Sequence, residues 1–166
     1  MNGKEFNTGE PLAYFLTWTS YGTWLPGDER GWNRKDEFDV QLSNPFLVKM
    51  AESRMKESEF RLLPSDRDIV EATIRKHCEI RKWPIHAVNA RTNHVPVVVT
   101  ARGYRPETVR DQFKAWCTRK LKAVHATRTE FWTEGASLRW INTEDDLAAV
   151  VVYVMEAQDP KPEEGG

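Results

Sequence analysis

The sequence predicts an α+β fold of the ferredoxin-like kind, an antiparallel four-stranded sheet with helices on one face and one extra helix at the C-terminal end. Three observations carry this. Strand-like and helix-like runs alternate as strand, helix, strand, strand, helix, strand, with one further helix after them. The unbroken run Val97-Val98-Val99 marks a central strand buried on both faces. The short polar joint Arg91-Thr92-Asn93 between two β-type runs suits a hairpin linking neighbouring strands. The arrangement hosts many unrelated functions, so it settles none.

The chain has 166 residues, which predicts a single domain over residues 1–166 able to bury a proper core. Hydrophobic residues make up 40% and charged residues 30%, the balance of an ordinary globular protein. No apolar run approaches the ~20 residues of a membrane span, and Met1 to Phe6 holds no apolar signal core. Two cysteines, Cys78 and Cys117, are too few and too far apart for a disulfide framework or a zinc knuckle. A cytoplasmic location with free thiols is expected. The net charge of −1 leaves any nucleic-acid binding to a local basic patch.

Residues 1–11 form a loose polar terminus ending at Pro11. Ala13 to Thr19 is aromatic and β-branched, a strand. The following Tyr21 to Trp32 contains Pro26-Gly27 and scattered glycines, hence a structured loop. Trp24, Arg30 and Trp32 within it admit two readings. They either pack on the body of the domain or form a stacking platform for an unpaired base. Residues 33–63 form a charged insertion in which Pro45 to Ser58 has helical spacing, with Asn44 as cap.

Pro64 to Lys82 is expected to be a helix capped by Ser65, with Asp66 and Asp68 at its positive end. His77 and Cys78, being adjacent, point to different faces. Trp83 to Arg91 is the second strand and His94 to Ala101 the third. The longest helix runs from Glu107 to about Ala126, with Val109, Phe113, Trp116, Cys117, Leu121 and Val124 as its apolar face. Its other side carries Arg110, Lys114, Arg119, Lys120 and Lys122. Those are either a solvated face or the local basic patch that phosphates require. A hairpin-like excursion then leads into a last strand ending at Ile141. Thr143 caps the final helix, with three acids in its first turn; the helix is expected to run to Gln158, stopped by Pro160, and residues 159–166 read as a flexible tail.

The stretch Asn93-His94-Val95-Pro96-Val97-Val98-Val99 places His94 and Pro96 on one face of the motif strand, because side chains alternate with period two. Read alone, His94 is either a satisfied core histidine or a metal ligand. The stretch resembles the HUH motif of the single-tyrosine transposases of the smallest insertion sequences, and the branch it looks most like is the REP-associated tyrosine transposases. The aromatic loop after the first strand and Lys114 to Leu121 in the long helix resemble that branch too. The resemblance runs from Tyr14 to Gln158.

That resemblance implies a protein that binds hairpin single-stranded DNA and cleaves it through a 5′-phosphotyrosine link, with a divalent metal, Mg²⁺ or Mn²⁺. Tyr153 would be the nucleophile, and His94 and Gln158 metal ligands. Trp24, Arg30, Trp32, Arg110, Lys114, Arg119 and Lys120 would contact DNA. A phenol, with a pKa of ~10, attacks phosphorus only when it or the phosphate is activated, which a divalent ion does by drawing charge off the non-bridging oxygens. The chain departs from the pattern twice. Pro96 stands where the second histidine is expected, and Ala157 where an amide is expected four residues after the tyrosine. The expected assembly is a monomer or a homodimer. Two further readings stay open: a hairpin-DNA-binding module of the same origin that does not cut, and a domain with no nucleic-acid role.

Overall fold

The computed structural model describes residues 10–23, 32–33, 40–41 and 57–157. The elements in chain order are β1 (Ala13–Thr19), β2 (Trp32–Asn33), β3 (Val40–Gln41), α1 (Pro64–Arg81), β4 (Ile85–Val88), β5 (His94–Val99), α2 (Pro106–Val124), β6 (Ser137–Ile141) and α3 (Glu144–Met155). The expected helix over Pro45 to Ser58 lies almost wholly outside the described residues.

Strands β4, β5, β1 and β6 form one antiparallel sheet in that order, the spatial order of the split β-α-β arrangement. The valine run sits where its composition requires. β5 lies between β4 and β1, and Val97, Val98 and Val99 are fully buried. β2 and β3 pair separately, Trp32 opposite Gln41.

The two faces of the sheet are covered differently. On one, Leu16, Trp18, Val95, Val97 and Val99 pack with Val70 and Ile74 of α1 and Val109, Phe113 and Leu121 of α2. On the other, Ala13, Ala87, Val98 and Ile141 pack with Val150 and Val154 of α3. The extra C-terminal helix therefore closes the face that α1 and α2 leave open.

Local chemistry sets the helix ends. Pro64 takes the first position of α1 and Leu63 is the N-cap residue. Ser65 is not the cap. The Asp66 carboxylate reaches back to accept Leu63 N–H at 3.0 Å, because a carboxylate at the third helical position is well placed for the orphan donor. Lys82 ends α1 in the left-handed region, φ 63°. α2 starts one residue before the expected Glu107, since Pro106 suits the first position. Thr143 caps α3 as expected, its hydroxyl accepting Asp146 N–H at 3.1 Å.

The second strand is shorter than Trp83 to Arg91, with an irregularity between Ile85 and Ala87. Its ladder nonetheless continues past Val88. Asn89 N–H donates to Pro96 O at 3.3 Å and Arg91 N–H to His94 O at 2.8 Å. At this end of the sheet the chain also leaves and returns around the 24–56 segment. Tyr21 N–H donates to Phe131 O and Phe60 N–H to Tyr21 O, both at 2.8 Å, and Leu62 N–H donates to Thr92 O at 2.7 Å. The Glu57 carboxylate accepts Thr129 N–H and the Thr129 hydroxyl, each at 3.0 Å.

Candidate functional site

In β1, Leu16 and Trp18 belong to the core under α1 and α2. Alternation therefore turns Phe15, Thr17 and Thr19 to the α3 face. In β5, Val95, Val97 and Val99 share that core, so His94, Pro96 and Val98 face α3. Register sets these side chains opposite one another: Phe15 with Val98, Thr17 with Pro96, Thr19 with His94. Directly opposed residues in an antiparallel pair hold their Cβ atoms about 5 Å apart. α3 covers the Ala13 and Val98 end of this face with Val150 and Val154, and Phe15, Thr17 and Thr19 stay half-buried.

Tyr153 stands on the outer side of α3's last turn, 68% exposed, with its ring edge-on to Phe15 at 6.1 Å between centroids. His94 and Tyr153 are thus brought to the same face of the sheet. They are offset along it: from the Phe15 level to the Thr19 level is four residues, roughly 13 Å at ~3.3 Å per residue. The end of α3 is fastened over this region by Asn89, whose amide donates to Val154 O at 3.0 Å and Ala157 O at 3.2 Å. Ala157 thus contributes a carbonyl to the helix end, in the position where an amide side chain was expected.

His94 is half-buried, with Nδ1 3.0 Å from Asn93 Oδ1. Pro96 is buried beside it and offers no donor atom. Gln158 lies outside the described residues. Among the described residues, no group of three histidine, cysteine or acidic side chains could hold a metal ion. The described donor set is one imidazole, which does not fit a divalent-ion site by itself.

Trp24 and Arg30 also lie outside the described residues, and Trp32 is placed by its backbone in β2. The four α2 residues expected to contact DNA do not form one stripe. Arg119 lies nine residues after Arg110, which at ~100° per residue puts them on opposite sides of the helix. Arg110 pairs with Asp111 at 2.8 Å. Arg119 lies over the Trp116 ring at 4.6 Å. Lys120 is exposed. Lys114 is turned inward, its ammonium donating to Thr133 O at 2.9 Å and Gly135 O at 2.8 Å. Burial first, and the neighbouring Arg110 charge second, bring its pKa down to about 8.

Four residues on the α3 face were not singled out from the sequence: Thr17, Thr19, Asn89 and Arg91. Val88 and Ala90 face the core under α1 and α2, so Asn89 and Arg91 point to the opposite side. Arg91 Nη1 donates to Asn89 Oδ1 at 3.2 Å, which fits that placement. Another histidine, His86, sits with Nε2 2.7 Å from Thr100 Oγ1. Thr100 gives its one hydroxyl proton to Leu12 O, so His86 Nε2 is the donor in that pair. Burial holds the His86 pKa below the ordinary imidazole value, against the opposing charge of Glu144.

No protein-family model matches the chain, and no curated protein matches it. Among solved structures, the chain is similar to a REP-associated tyrosine transposase bound to a REP hairpin, with a TM-score of 0.52 and 14% identity over 87% of this chain. It spans 65% of the length of that transposase chain. A candidate transposase from Deinococcus radiodurans R1 is similar at a TM-score of 0.48 and 12% identity, over 90% of this chain and 93% of that one. The four-stranded antiparallel sheet, two helices on one face and a C-terminal helix on the other, is a fold that this chain shares with a REP-associated tyrosine transposase.

Proposed function

We propose that the chain is a transposase-like protein of the single-tyrosine kind that engages hairpin single-stranded DNA on the α3 face. The observation that carries the reading is the placement of an exposed tyrosine, Tyr153, and the strand histidine His94 on the same sheet face. The transposase of like fold is bound to a REP hairpin, which supports hairpin DNA as the partner.

In the cutting form of this reading, the Tyr153 oxygen attacks a backbone phosphorus and the bond from phosphorus to the 3′ oxygen breaks. The products are a 5′-phosphotyrosine link and a free 3′-hydroxyl. The phenolic proton passes to solvent, and the leaving oxygen takes a proton from water. What the chain itself supplies is position. The Asn89 bonds hold the last turn of α3, and the open side of that turn leaves the phenol free to approach a strand. A second reading, a protein that grips hairpin DNA without cutting it, is favoured by Pro96, which removes one expected donor from the middle of the site.

One experiment separates them. Labelled hairpin DNA with a single-stranded flank is incubated with the protein and Mg²⁺ or Mn²⁺, beside Tyr153→Phe and Pro96→His. A covalent protein–DNA adduct that disappears in Tyr153→Phe is the expected result for the cutting form. Binding without an adduct, with an adduct gained in Pro96→His, supports the non-cutting form. Absence of binding in all three proteins overturns both.

A further inference from the structure

We infer that the cleft between the start of α2 and the β1–β6 pair binds an organic cation, a guanidinium or alkylammonium group, with Trp140, Tyr14 and Glu107 as its binding residues. The inference goes beyond the proposed function and does not rest on it. Tyr14 belongs to the core under α1 and α2, so the cleft lies on the sheet face opposite α3. From Tyr14 to Thr19, the residue opposite His94, is five positions along β1, roughly 17 Å at ~3.3 Å per residue.

The cleft exists because of where α2 begins. The first α2 side chain in the large core is Val109. Ahead of the helix the chain turns at Gly103, φ 83°, and reaches Pro106 without covering the ends of β1 and β6. A cavity of about 470 Å³ is left there, walled by Tyr14, Tyr104, Leu138 and Trp140, with Glu10 and Glu107 beside them. Leu138 packs on the large core, and alternation puts Trp140 on the same face. Tyr14 and Trp140 are directly opposed in register, with ring centroids 6.3 Å apart. The Tyr104 ring is backed by Trp83, 5.1 Å away between centroids. Trp140 is nevertheless 54% exposed. A tryptophan lining a cavity is the best aromatic partner a cation can find.

The polar groups set the sign. The Tyr14 hydroxyl commits its one proton to Tyr104 O at 2.6 Å, so toward a ligand its oxygen can only accept. Burial first, then the charges of Glu10 and Glu107, raise the Tyr14 pKa above the ordinary phenol value, which marks a negative field at the cleft floor. Glu107 also stands in the first turn of α2, where it offsets the positive helix end that would favour an anion. Arg105 meets Glu107 at 3.8 Å with its side chain 83% exposed, and so open a pair contributes little. Its guanidinium is replaceable, and it shows the chemistry that Glu107 accepts. Carboxylates beside aromatic walls suit a cation with an apolar body.

The test is calorimetric titration of the full chain with butylguanidinium and with a capped Gly-Gly-Arg-Gly-Gly peptide, which separates a free small cation from a side chain on a peptide. Butylurea and the citrulline peptide are the uncharged controls. The variants are Trp140→Leu, Glu107→Gln and Arg105→Gln, with thermal unfolding recorded for each. The expected result is saturable binding of at least one charged probe and none of its control. Trp140→Leu and Glu107→Gln should each weaken binding about tenfold, as loss of a cation–π contact or of a charged acceptor does. Arg105→Gln should tighten it several-fold, because Arg105 makes no side-chain capping bond and competes for Glu107. Loss of structure does not produce such a gain. No saturable binding of either charged probe by the parent, equal binding of the uncharged controls, or one affinity across all three variants overturns the inference. Each of those results leaves the hairpin-DNA reading standing, since that reading is decided at Tyr153.

Discussion

Lys114 shows how one residue changes meaning between sequence and structure. On the helical pattern it belongs to a basic face suited to phosphates. In the fold its ammonium is held between the carbonyls of Thr133 and Gly135, and its pKa is brought down to about 8. A lysine in an unfolded chain titrates near ~10.4. Below pH 8 both states are protonated and the cost of burying the charge is present in full. Between about pH 8 and ~10.4 the unfolded state binds more protons, so this residue's contribution to stability rises with pH. Urea unfolding at pH 7 and pH 9.5 should therefore show the parent gaining on Lys114→Met as pH rises. A difference that stays constant would show that the amine is not buried. The threonines and Arg91 escape sequence reading for a related reason. Alternation gives the face of each strand residue, but the pairing of Thr19 with His94 depends on register between strands about 75 residues apart, which no local pattern carries.

At the scale of elements, most of the architecture is legible locally. β1 matches its aromatic and β-branched run from Ala13 to Thr19. α1 begins at Pro64 as expected, and the capping hydroxyl and acidic first turn mark the start of α3. Its other end was set too late by sequence, near Gln158, because the Pro160 stop signal says only where a helix cannot continue. The helix ends at Met155 with Glu156 as C-cap, where the Asn89 amide adds bonds to the Val154 and Ala157 carbonyls. A helix of 12 residues is marginal without tertiary support, so these bonds matter to the placement of Tyr153. Asn89→Ala should cost about 1–2 kcal/mol of stability, the range for losing hydrogen bonds and a buried cap. It should also speed amide exchange selectively from Val152 to Ala157. Uniform exchange changes across the sheet would mean that Asn89 holds the whole hairpin and not the helix end.

For the molecule as a whole, the sheet separates two cores of unequal size, and both cysteines lie in the larger one. Burial pushes the Cys78 thiol up to about 12, against a small opposing effect from Arg75, and raises Cys117 further. Since the thiolate is the reactive form, neither cysteine should react with iodoacetamide at pH 8 in the native protein. Both should label together as denaturant unfolds the chain. Early labelling at one alone would reveal separate opening of α1 or α2. This core was legible from helical periodicity in α1 and α2. The smaller one was less so, because nothing local in the apolar α3 says which sheet face it covers.

The return of the chain at Tyr21 has a consequence for how such a protein can change over time. The residues flanking the 24–56 segment are joined directly, Phe60 N–H to Tyr21 O, and both sides are tied to the same distant stretch, Tyr21 to Phe131 and Glu57 to Thr129. Departure and re-entry therefore share a single socket on the sheet's rim. Closing a longer or shorter excursion there alters the free energy only slowly with length, by about 0.6 kcal/mol per doubling. Material can be spliced in or trimmed at this junction while β1, β5 and α3 keep their alignment, so the segment and the scaffold are free to diversify independently.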